Sequence, residues 1–511
     1  MSTSPSPSAA GRAGDVVGAM RTHKNHDGII LALACVAQFM VILDVSVVNV
    51  ALPSIGKDLH YSPTGLQWVV NAYVLAFAGF LLLGGRAADL FGRRKVFIAG
   101  AALFSVASLV GGLATTSGML TGARVAQGLG GALLSPATLT IIVTTFQGPR
   151  LAKALGMWGA VGGAGGAIGS LLGGILTAEL SWRWVLFINI PIGIAVVVGA
   201  VLYLSEVRRS TPSTKLDVAG ALLVTAGLST LVYAIVNTDT HGWGSAFTLE
   251  WVAAAVILLV AFAIVELKVA SSPLVPFSFF KNRVTASANL VMFLVGAAFF
   301  SMWYFLTLYL QDVLHFSALT TGFAFAPQAI AIIIGAQVTT RLMVKVGVWP
   351  MIMAGTTLAC IGFFWLGHLS YDSSYFGSVF FPAITIAFPL GLLFSPLAAA
   401  ATSQVDHTQA GLASGVLNTA RQMGGSLGLA VLATIAYNET QTFFSSNTHA
   451  SAQSIGVAKA QAFTAGYNQA FLIASAICLA AMVATFFIPR HLGKPTKEEA
   501  NEANALAHET D

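Results

Sequence analysis

The chain has 511 residues, of which 56% are hydrophobic and only 9% are charged, whereas an ordinary soluble domain carries about 25% charged residues. So few charges cannot cover the surface of a soluble fold with this much apolar mass. The composition therefore excludes a soluble enzyme and a disordered protein. The net charge of +5 comes from basic residues scattered in short loops, without the basic patch of a nucleic-acid binder, so we expect no nucleic-acid partner.

Continuous apolar runs recur along the chain, and each is about long enough to cross a bilayer, which takes about 20 residues. This pattern predicts an all-α integral membrane protein with fourteen transmembrane helices. The predicted spans are residues 28–52, 66–84, 95–114, 118–146, 154–178, 184–205, 215–236, 250–268, 286–312, 320–343, 350–369, 376–400, 410–437 and 463–488.

The basic residues predict the orientation of these spans. With the N-terminus inside, 20 Lys and Arg residues fall in inner segments, 3 fall in outer segments, and two, Arg124 and Arg421, lie within spans. Basic loops face the cytoplasm, so we expect both termini to be cytoplasmic. Residues 1–27 are rich in Ser, Pro, Ala and Gly and are predicted to be a disordered tail, and residues 489–511 form the second tail.

Two basic loops indicate an internal repeat. One covers Arg86–Lys95 after span 2, and the other covers Arg341–Lys345 after span 10. If residues 206–285 are a linker with two extra helices, these loops become equivalent positions in six-helix units at 28–205 and 286–488. Repeated halves around a central site are typical of secondary transporters.

Asp44, in the stretch LDVSVVNVALP, is the one acidic residue deep in a predicted span. It lies roughly 12 Å below the outer boundary, where a carboxylate is costly unless it is protonated, paired or hydrated. Arg124 has a similar depth in span 4, and Gln127 lies one turn deeper on the same face. We interpret Asp44 as a proton carrier and Arg124 as its partner. A structural hydrogen bond and a static ion pair are the alternatives.

Arg421 lies roughly 16 Å from the inner boundary of span 13, and no acidic residue of the second half matches its depth. We expect it to face water, substrate, or a polar cluster with Asn418 and Gln422. With Asp44 protonated, the two deep arginines leave the membrane interior positive. This balance favours neutral or anionic substrates over cations.

Two stretches have glycines at informative spacing. Residues 85–95 read GRAADLFGRRK, in which the glycines permit a tight turn and Asp89 can cap a helix or pair with an arginine. In span 5, Gly165, Gly169 and Gly173 form a stripe that allows helices to touch backbone to backbone. Plain helix packing accounts for part of this stripe.

Together these stretches resemble the motifs of the major facilitator superfamily, and within it the fourteen-helix drug:proton antiporters, over about residues 28–488. Residues 85–95 are similar to the loop motif between helices 2 and 3. The sequence RVAQG from Arg124 to Gly128 is similar to the fourth-helix motif whose arginine is linked to proton transfer. Residues 156–174 resemble the fifth-helix antiporter motif, and residues 43–53 resemble the first-helix motif.

The sequence departs from this pattern at two positions. Ser170 stands where the fifth-helix motif usually has a proline, and Val344 stands where the second-half copy of the loop motif has an aspartate. The first departure puts a proline-dependent bend in doubt.

The resemblance implies a rocker-switch transporter of the bacterial cytoplasmic membrane that exports lipophilic drugs or antibiotics in exchange for protons. It implies proton coupling at Asp44 and Arg124, and it places Asp89 near the start of span 13, around Gly411. The implied gating residues are Gly85, Asp89, Gly92, Arg93, Arg94, Gly165, Gly169, Ser170, Gly173 and Gly174. Candidates for the substrate surface are Gln127, Asn289, Phe300, Trp303, Tyr304, Asn418 and Arg421, with lipid contact or core packing as the alternative for the aromatic residues.

Two other functions stay open at this point: proton-coupled uptake of a metabolite, and a membrane sensor or scaffold that does not transport. The span-5 stretch argues against uptake, and Ser170 weakens that argument. A buried Asp–Arg pair without a structural need argues against a sensor. We expect no cofactor or metal, because the sequence contains no GxxxxGK[ST], no CxxC and no histidine deep in a span. We also expect a monomer, although no feature of the sequence determines the oligomeric state.

Overall fold

The protein is built from long helices. The computed structural model describes residues 9–205, 216–405, 409–446, 455–490 and 492, and no strand occurs within these ranges, so the predicted all-α fold is confirmed. We number the long helices of these ranges in chain order: α1 Ala9–Asp58, α2 Trp68–Phe91, α3 Arg93–Gly112, α4 Ser117–Thr145, α5 Gly148–Glu179, α6 Asn189–Tyr203, α7 Val218–Val236, α8 Ala246–Ile264, α9 Arg283–Leu308, α10 Ala318–Val346, α11 Val348–Leu366, α12 Phe380–Thr402, α13 Ala410–Ser446 and α14 Ile455–Thr485.

Over the described residues, 12 helices are long and apolar enough to cross a membrane. They make the chain a multi-pass membrane protein. Helices α5 and α13 are not among these 12, and the apolar helix found within α5 is Ile168–Glu179. The count of fourteen spans therefore stays a prediction.

The structure describes more of the predicted N-terminal tail than of the predicted C-terminal tail. Helix α1 begins at Ala9, so residues 9–27 are helical where the sequence predicts a disordered tail. An Ala-containing segment can extend a neighbouring helix without a new nucleation step. Residues 1–8 and all but three residues of the predicted C-terminal tail at 489–511 lie outside the described residues.

The same helix pairs recur in two parts of the chain. Helix α1 packs on α5, α2 on α4, and α3 on both α4 and α6. Eight helices later, α9 packs on α13, α10 on α12, and α11 on both α12 and α14. This repetition matches the internal repeats of secondary transporters, and the boundaries predicted for the two units stay predictions.

Among the described residues, two of the helix crossings that join the repeated sets contain small or polar residues. Helix α5 crosses α10, where a Cβ on Gly174 would lie 2.6 Å from the carbonyl oxygen of Ala318. Helix α2 crosses α13, where Ser426 Oγ donates to Asn71 Oδ1 at 3.0 Å. Small residues let membrane helices approach closely, and polar pairs add hydrogen bonds across the contact.

Helices α7 and α8 pack on each other outside the repeated pairs. Helix α7 contacts α2 and α13 through a small apolar cluster that includes Leu75, Val224 and Leu228. Only 11% of the apolar part of α8 is buried, and the Ile257 side chain on it is 68% exposed. Because an apolar helix surface is stable only against hydrocarbon or protein, we infer that α8 faces lipid.

The segment that follows α8 is tied to α2 by Arg86. Its guanidinium donates to the carbonyl oxygens of Ser272 at 2.7 Å and Pro273 at 3.1 Å. Glu266 accepts from the backbone N–H groups of Leu274 and Val275, both at 3.2 Å. Hydrogen bonds to charged groups are about twice as strong as neutral ones, so the insert is firmly attached to the helix that ends in the loop motif.

The exposure of α8 can be tested with cysteine probes. In a background without Cys35, Cys360 and Cys478, Ile257→Cys should not react with a charged, membrane-impermeant maleimide from either side, because the position faces hydrocarbon. The control Trp243→Cys, in the loop between α7 and α8 at a position 53% exposed, should react from one side. Labelling of Ile257→Cys by the charged reagent would place α8 on an aqueous surface.

Candidate functional site

Asp44 is fully buried and lies in a hydrogen-bonded cluster formed by α1, α3, α4 and α6. Its Oδ2 accepts from Arg124 Nη1. Its Oδ1 accepts from Gln127 Nε2 at 3.0 Å and from Asn189 Nδ2 at 2.8 Å. Three buried donors, one of them charged, stabilise an ionised carboxylate at this position.

Arg124 is held by partners on several sides. Its Nε donates to the carbonyl oxygen of Val69 at 2.9 Å, and its Nη1 also reaches Gln127 Oε1 at 3.0 Å. The guanidinium carbon lies 4.5 Å from the centre of the Tyr73 ring, whose face attracts a cation. A second acceptor, Gln127 Oε1, is therefore already within reach when Asp44 is neutralised.

The sequence predicts that Asp44, Arg124 and Gln127 lie close together, and the structure brings them into contact. Two further members of the cluster are not evident from the sequence: Asn189, the first residue of α6, and Ser108 on α3, whose Oγ accepts from Gln127 Nε2 at 2.7 Å. The signal for Asn189 was a polar residue early in the apolar run at 184–205. Ser108 had no signal, because serine is common in membrane helices.

We expect Asn189→Ala to lower transport about tenfold. The change removes one donor from a buried carboxylate, and a hydrogen bond to a charged group is worth roughly 1.5–3 kcal/mol. The matched control is Asn49→Ala on α1, because Asn49 Nδ2 donates only to the carbonyl of Val45 in its own helix, at 3.0 Å. Equal transport rates for the two variants in proteoliposomes would contradict a role for Asn189 in the cluster.

The glycine stripe of α5 packs against the part of α1 that carries Asp44. A Cβ on Gly169 would lie 2.6 Å from Ser46 Cβ, and one on Gly173 would lie 2.8 Å from the Cα of Val47; Gly165 continues the stripe. No side chain fits between the two backbones at these positions. A shift of α1 therefore has to move α5 as well.

The adjacent face of α5, one residue around the helix from the stripe, meets α10. Gly174 lies at this contact, and a Cβ on Gly322 would lie 2.6 Å from the carbonyl oxygen of Ser170. Ser170 Oγ donates to the carbonyl of Gly166 at 3.1 Å, and α5 continues as one helix through this position. Serine keeps the N–H that a proline would lack.

The turn between α2 and α3 depends on Gly92, whose φ is 99°, a conformation that L side chains rarely adopt. Gly347 holds the same place between α10 and α11 with a φ of 88°. The second half therefore keeps the turn glycine of the loop motif, although Val344 replaces its aspartate. Gly85 lies where α2 meets α4, at an ordinary contact with Pro136.

The charged residues of this loop lie at its surface and at its anchor points. Asp89 is half-exposed, with Oδ1 3.7 Å from Nη2 of the buried Arg93. Arg94 donates to the carbonyl of Val201 at 2.7 Å, which ties the loop to α6. A Cβ on Gly411 would meet no atom within 4 Å. One turn further along α13, a Cβ on Gly415 would lie 2.6 Å from Leu82 Cδ2 on α2.

Replacing Gly92 by alanine should destabilise the protein by about 1–2 kcal/mol, because the left-handed backbone is unfavourable for a residue with a Cβ. The melting temperature of the purified protein in detergent measures this loss. Gly122→Ala is the control: Gly122 lies within α4 with no atom near its Cβ position, so the melting temperature should stay constant or rise. A fall of equal size in both variants would argue against a special turn at Gly92.

The candidates of the second half lie on α9 and α13. Arg421 donates from Nε and Nη2 to Asn418 Oδ1, at 3.3 and 2.9 Å. The half-buried Phe300 ring lies against Gly425, one turn beyond Arg421. Gln422, which was expected in the same polar cluster, is buried. Of the three environments expected for Arg421, namely water, substrate and a polar cluster, the structure shows its contact with Asn418.

The aromatic candidates of α9 differ in what they expose. Trp303 is half-buried, and its ring centre lies 5.0 Å from that of Phe325. Tyr304 is 2% exposed and packs edge-on against the ring of Phe305. In this conformation Trp303 presents an accessible surface, whereas Tyr304 belongs to the packed core.

A polar cavity of about 150 Å³ lies between the start of α9 and the segment after α12, and its lining residues are Ser278, Phe279, Asn282, Thr285, Gln404, Val405 and Gln409. The buried Asn289 lies one turn further along α9 and donates to the carbonyl of Thr285 at 2.8 Å. Drug-sized ligands occupy sites of roughly 300–1,000 Å³, so this cavity is too small to be the substrate site.

The repeated helix pairs and the buried cluster agree with a comparison against protein families. A profile described as Major Facilitator Superfamily matches residues 34–429. The chain belongs to the Major Facilitator Superfamily. Its sequence is 46% identical to the cephamycin export protein CmcT of Amycolatopsis lactamdurans over 413 residues, which cover 80% of this chain and 85% of that protein. It is 40% identical to the puromycin resistance protein pur8 of Streptomyces alboniger over 420 residues, covering 81% and 82%.

A solved structure shares the superfamily fold. It is a bacterial homologue of the human lysosomal transporter Spinster, with a TM-score of 0.64 and 16% sequence identity, covering 92% of this chain and 99% of that chain. This likeness supports the fold alone. Members of the superfamily are transporters, and this chain is a transporter and not an enzyme.

Proposed function

We propose that this superfamily member exports antibiotic-like small molecules across the bacterial cytoplasmic membrane in exchange for protons, with both termini in the cytoplasm. The relatives named for cephamycin export and puromycin resistance support export over uptake. The observation that carries proton exchange is the buried ion pair of Asp44 and Arg124, because intramembrane ionisable residues are costly and serve proton relays.

In the proposed mechanism the proton binds at Asp44 Oδ2. Protonation removes the negative charge of the carboxylate and places an O–H on this oxygen, so its bond from Arg124 Nη1 loses its charge assistance. The guanidinium then shifts to Gln127 Oε1, which it already contacts at 3.0 Å. Loss of the proton restores the original pair. The cluster thus has two arrangements that the proton selects.

Movement of α1 then reaches the other half of the molecule at the predicted outer face. The carbonyl oxygen of Val50, less than two turns after Asp44, accepts from Gln311 Nε2 at 2.9 Å. Gln311 lies in the wide helical turn Tyr309–Val313 that extends α9. The α5 stripe carries the same movement to α10. These contacts support a rocking of the units 28–205 and 286–488 against each other. In this proposal the loop motif is an inner gate, in which Asp89 contacts α13 when the cytoplasmic side of the transporter closes.

The experiment compares Asp44→Asn with the double variant Asp44→Asn/Arg124→Gln in energised vesicles. Both should lose proton-driven efflux of a lipophilic dye, because an amide cannot carry a proton at neutral pH. The single variant leaves Arg124 buried without its counter-ion, at a cost of about 3–5 kcal/mol. The double variant should regain most of that stability.

The double variant separates loss of the carrier from loss of the fold. Asp58→Asn is a further control: Asp58 ends the same helix, but its carboxylate is half-exposed and binds Arg183 at 3.0 Å, so efflux should stay within twofold of the wild type. Efflux at the wild-type rate by Asp44→Asn, abolished by an uncoupler, would show that another group carries the proton.

A further inference from the structure

Arg421 differs from Arg124 in that no counter-ion lies beside it in the described part of the chain. Within the described residues, Arg421 forms no ion pair, and its hydrogen bonds go to one neutral oxygen, Asn418 Oδ1. The guanidinium carbon lies 5.7 Å from the centre of the Phe394 ring. An arginine stays protonated in proteins. This half of the molecule therefore holds a positive charge near the middle of the membrane that these residues do not neutralise.

The guanidinium lies on an accessible face of α13. Ser414, Asn418, Arg421 and Gly425 are three to four residues apart and share one side of the helix. Ser414 is exposed, Asn418 and Arg421 are half-buried, and Gly425 is buried beneath Phe300. Accessibility thus decreases from the predicted cytoplasmic end of α13 towards Phe300. A molecule that enters from that end contacts Arg421 before it reaches the buried part of α13 at Gly425.

Aromatic surface borders this charge. Phe394, on α12, is 49% exposed, and its ring lies beside the guanidinium. Exposed aromatic faces bind flat apolar groups, and a guanidinium binds a carboxylate or a comparable anion through two parallel N–H groups. Asn418 contacts Nε and Nη2 and leaves Nη1 without a partner among the described residues.

From these contacts, and resting on the function proposed above, we propose that Arg421, Asn418 and Phe394 form a recognition site for an organic monoanion with an aromatic body. The guanidinium binds the anionic group, Phe394 packs against the apolar body, and Phe300 limits how far the molecule enters. The site lies on α12 and α13, whereas the proton site lies on α1 and α4. Substrate and proton therefore occupy different halves of the molecule.

A binding comparison tests this site without requiring transport. The probes are 8-anilinonaphthalene-1-sulfonate and N-phenyl-1-naphthylamine, which share one aromatic body and differ by the anionic group. Binding to the full-length protein in phosphatidylcholine nanodiscs is measured by calorimetry, with empty nanodiscs subtracted. The wild type should bind the sulfonate at least tenfold more tightly than the neutral amine.

Two variants remove the free charge in different ways. Arg421→Gln deletes it, and Asn418→Asp gives it an internal counter-ion at the oxygen that it already contacts, with little change of shape. Each should weaken binding of the sulfonate about tenfold or more and leave binding of the neutral amine within twofold. Arg183→Gln, in a loop at the predicted outer face, lowers the net charge equally and should change neither.

The outcomes separate this proposal from the function on which it rests. If the wild type does not prefer the sulfonate, or if both variants bind it as the wild type does, the anion site is wrong, even where the neutral amine is exported by a proton gradient. An equal loss of both probes would also overturn it, because it indicates general damage. If the expected binding pattern is found but neither probe leaves energised vesicles, the anion site stands and proton-driven export fails.

Discussion

The ion pair of Asp44 and Arg124 is the interaction on which the rest of the structure depends. A carboxylate without water is stable at this depth only while its donors stay in place, and removing one partner of such a pair costs several kcal/mol. Asn189 and Gln127 supply the remaining donors, so four helices are fixed around one charge. Protonation of Asp44 removes the negative charge of this pair and weakens its hydrogen bonds. A buried pair of this kind can therefore switch between two arrangements and need not serve only to hold the helices together.

The two halves repeat the same helix contacts but not the same charges. In the first half, Arg124 meets a carboxylate, a carbonyl and an aromatic ring. In the second half, Arg421 has an amide and an aromatic ring. Similar helix packing therefore surrounds a buried ion pair in the first half and, among the described residues, an arginine without a counter-ion in the second half. Under the function proposed here, this difference assigns the proton and the substrate to separate sites.

The pairing of Asp44 with Arg124 could be predicted from the sequence, because a helix has a fixed rise per residue and the two residues therefore lie at a similar depth in their spans. Such prediction fails where a partner carries no pattern. Carbonyl acceptors such as that of Ser272, which binds Arg86, look the same at every residue. Helix α9 is apolar on most sides, so its sequence could not separate the buried Tyr304 from the accessible Trp303. Composition alone predicts a disordered tail at residues 1–27, and it does not show where the adjoining helix α1, which begins at Ala9, starts.

The charges of Asp44, Arg124 and Arg421 also determine how a membrane potential would act on the proposed exchange of a substrate anion for a proton. With Asp44 ionised and an anion at Arg421, the three deep charges and the substrate sum to zero, so the outward step moves little charge through the field. With Asp44 protonated and the anion released, the interior carries two positive charges, so the return step moves both inward. For one proton per anion, a potential of 100 mV, negative inside, contributes about 4.6 kcal/mol to each turn. In the proposed cycle, the charge of Arg421 and the protonatable pair of Asp44 and Arg124 would thus place the electrical driving force on the return of the empty, protonated carrier.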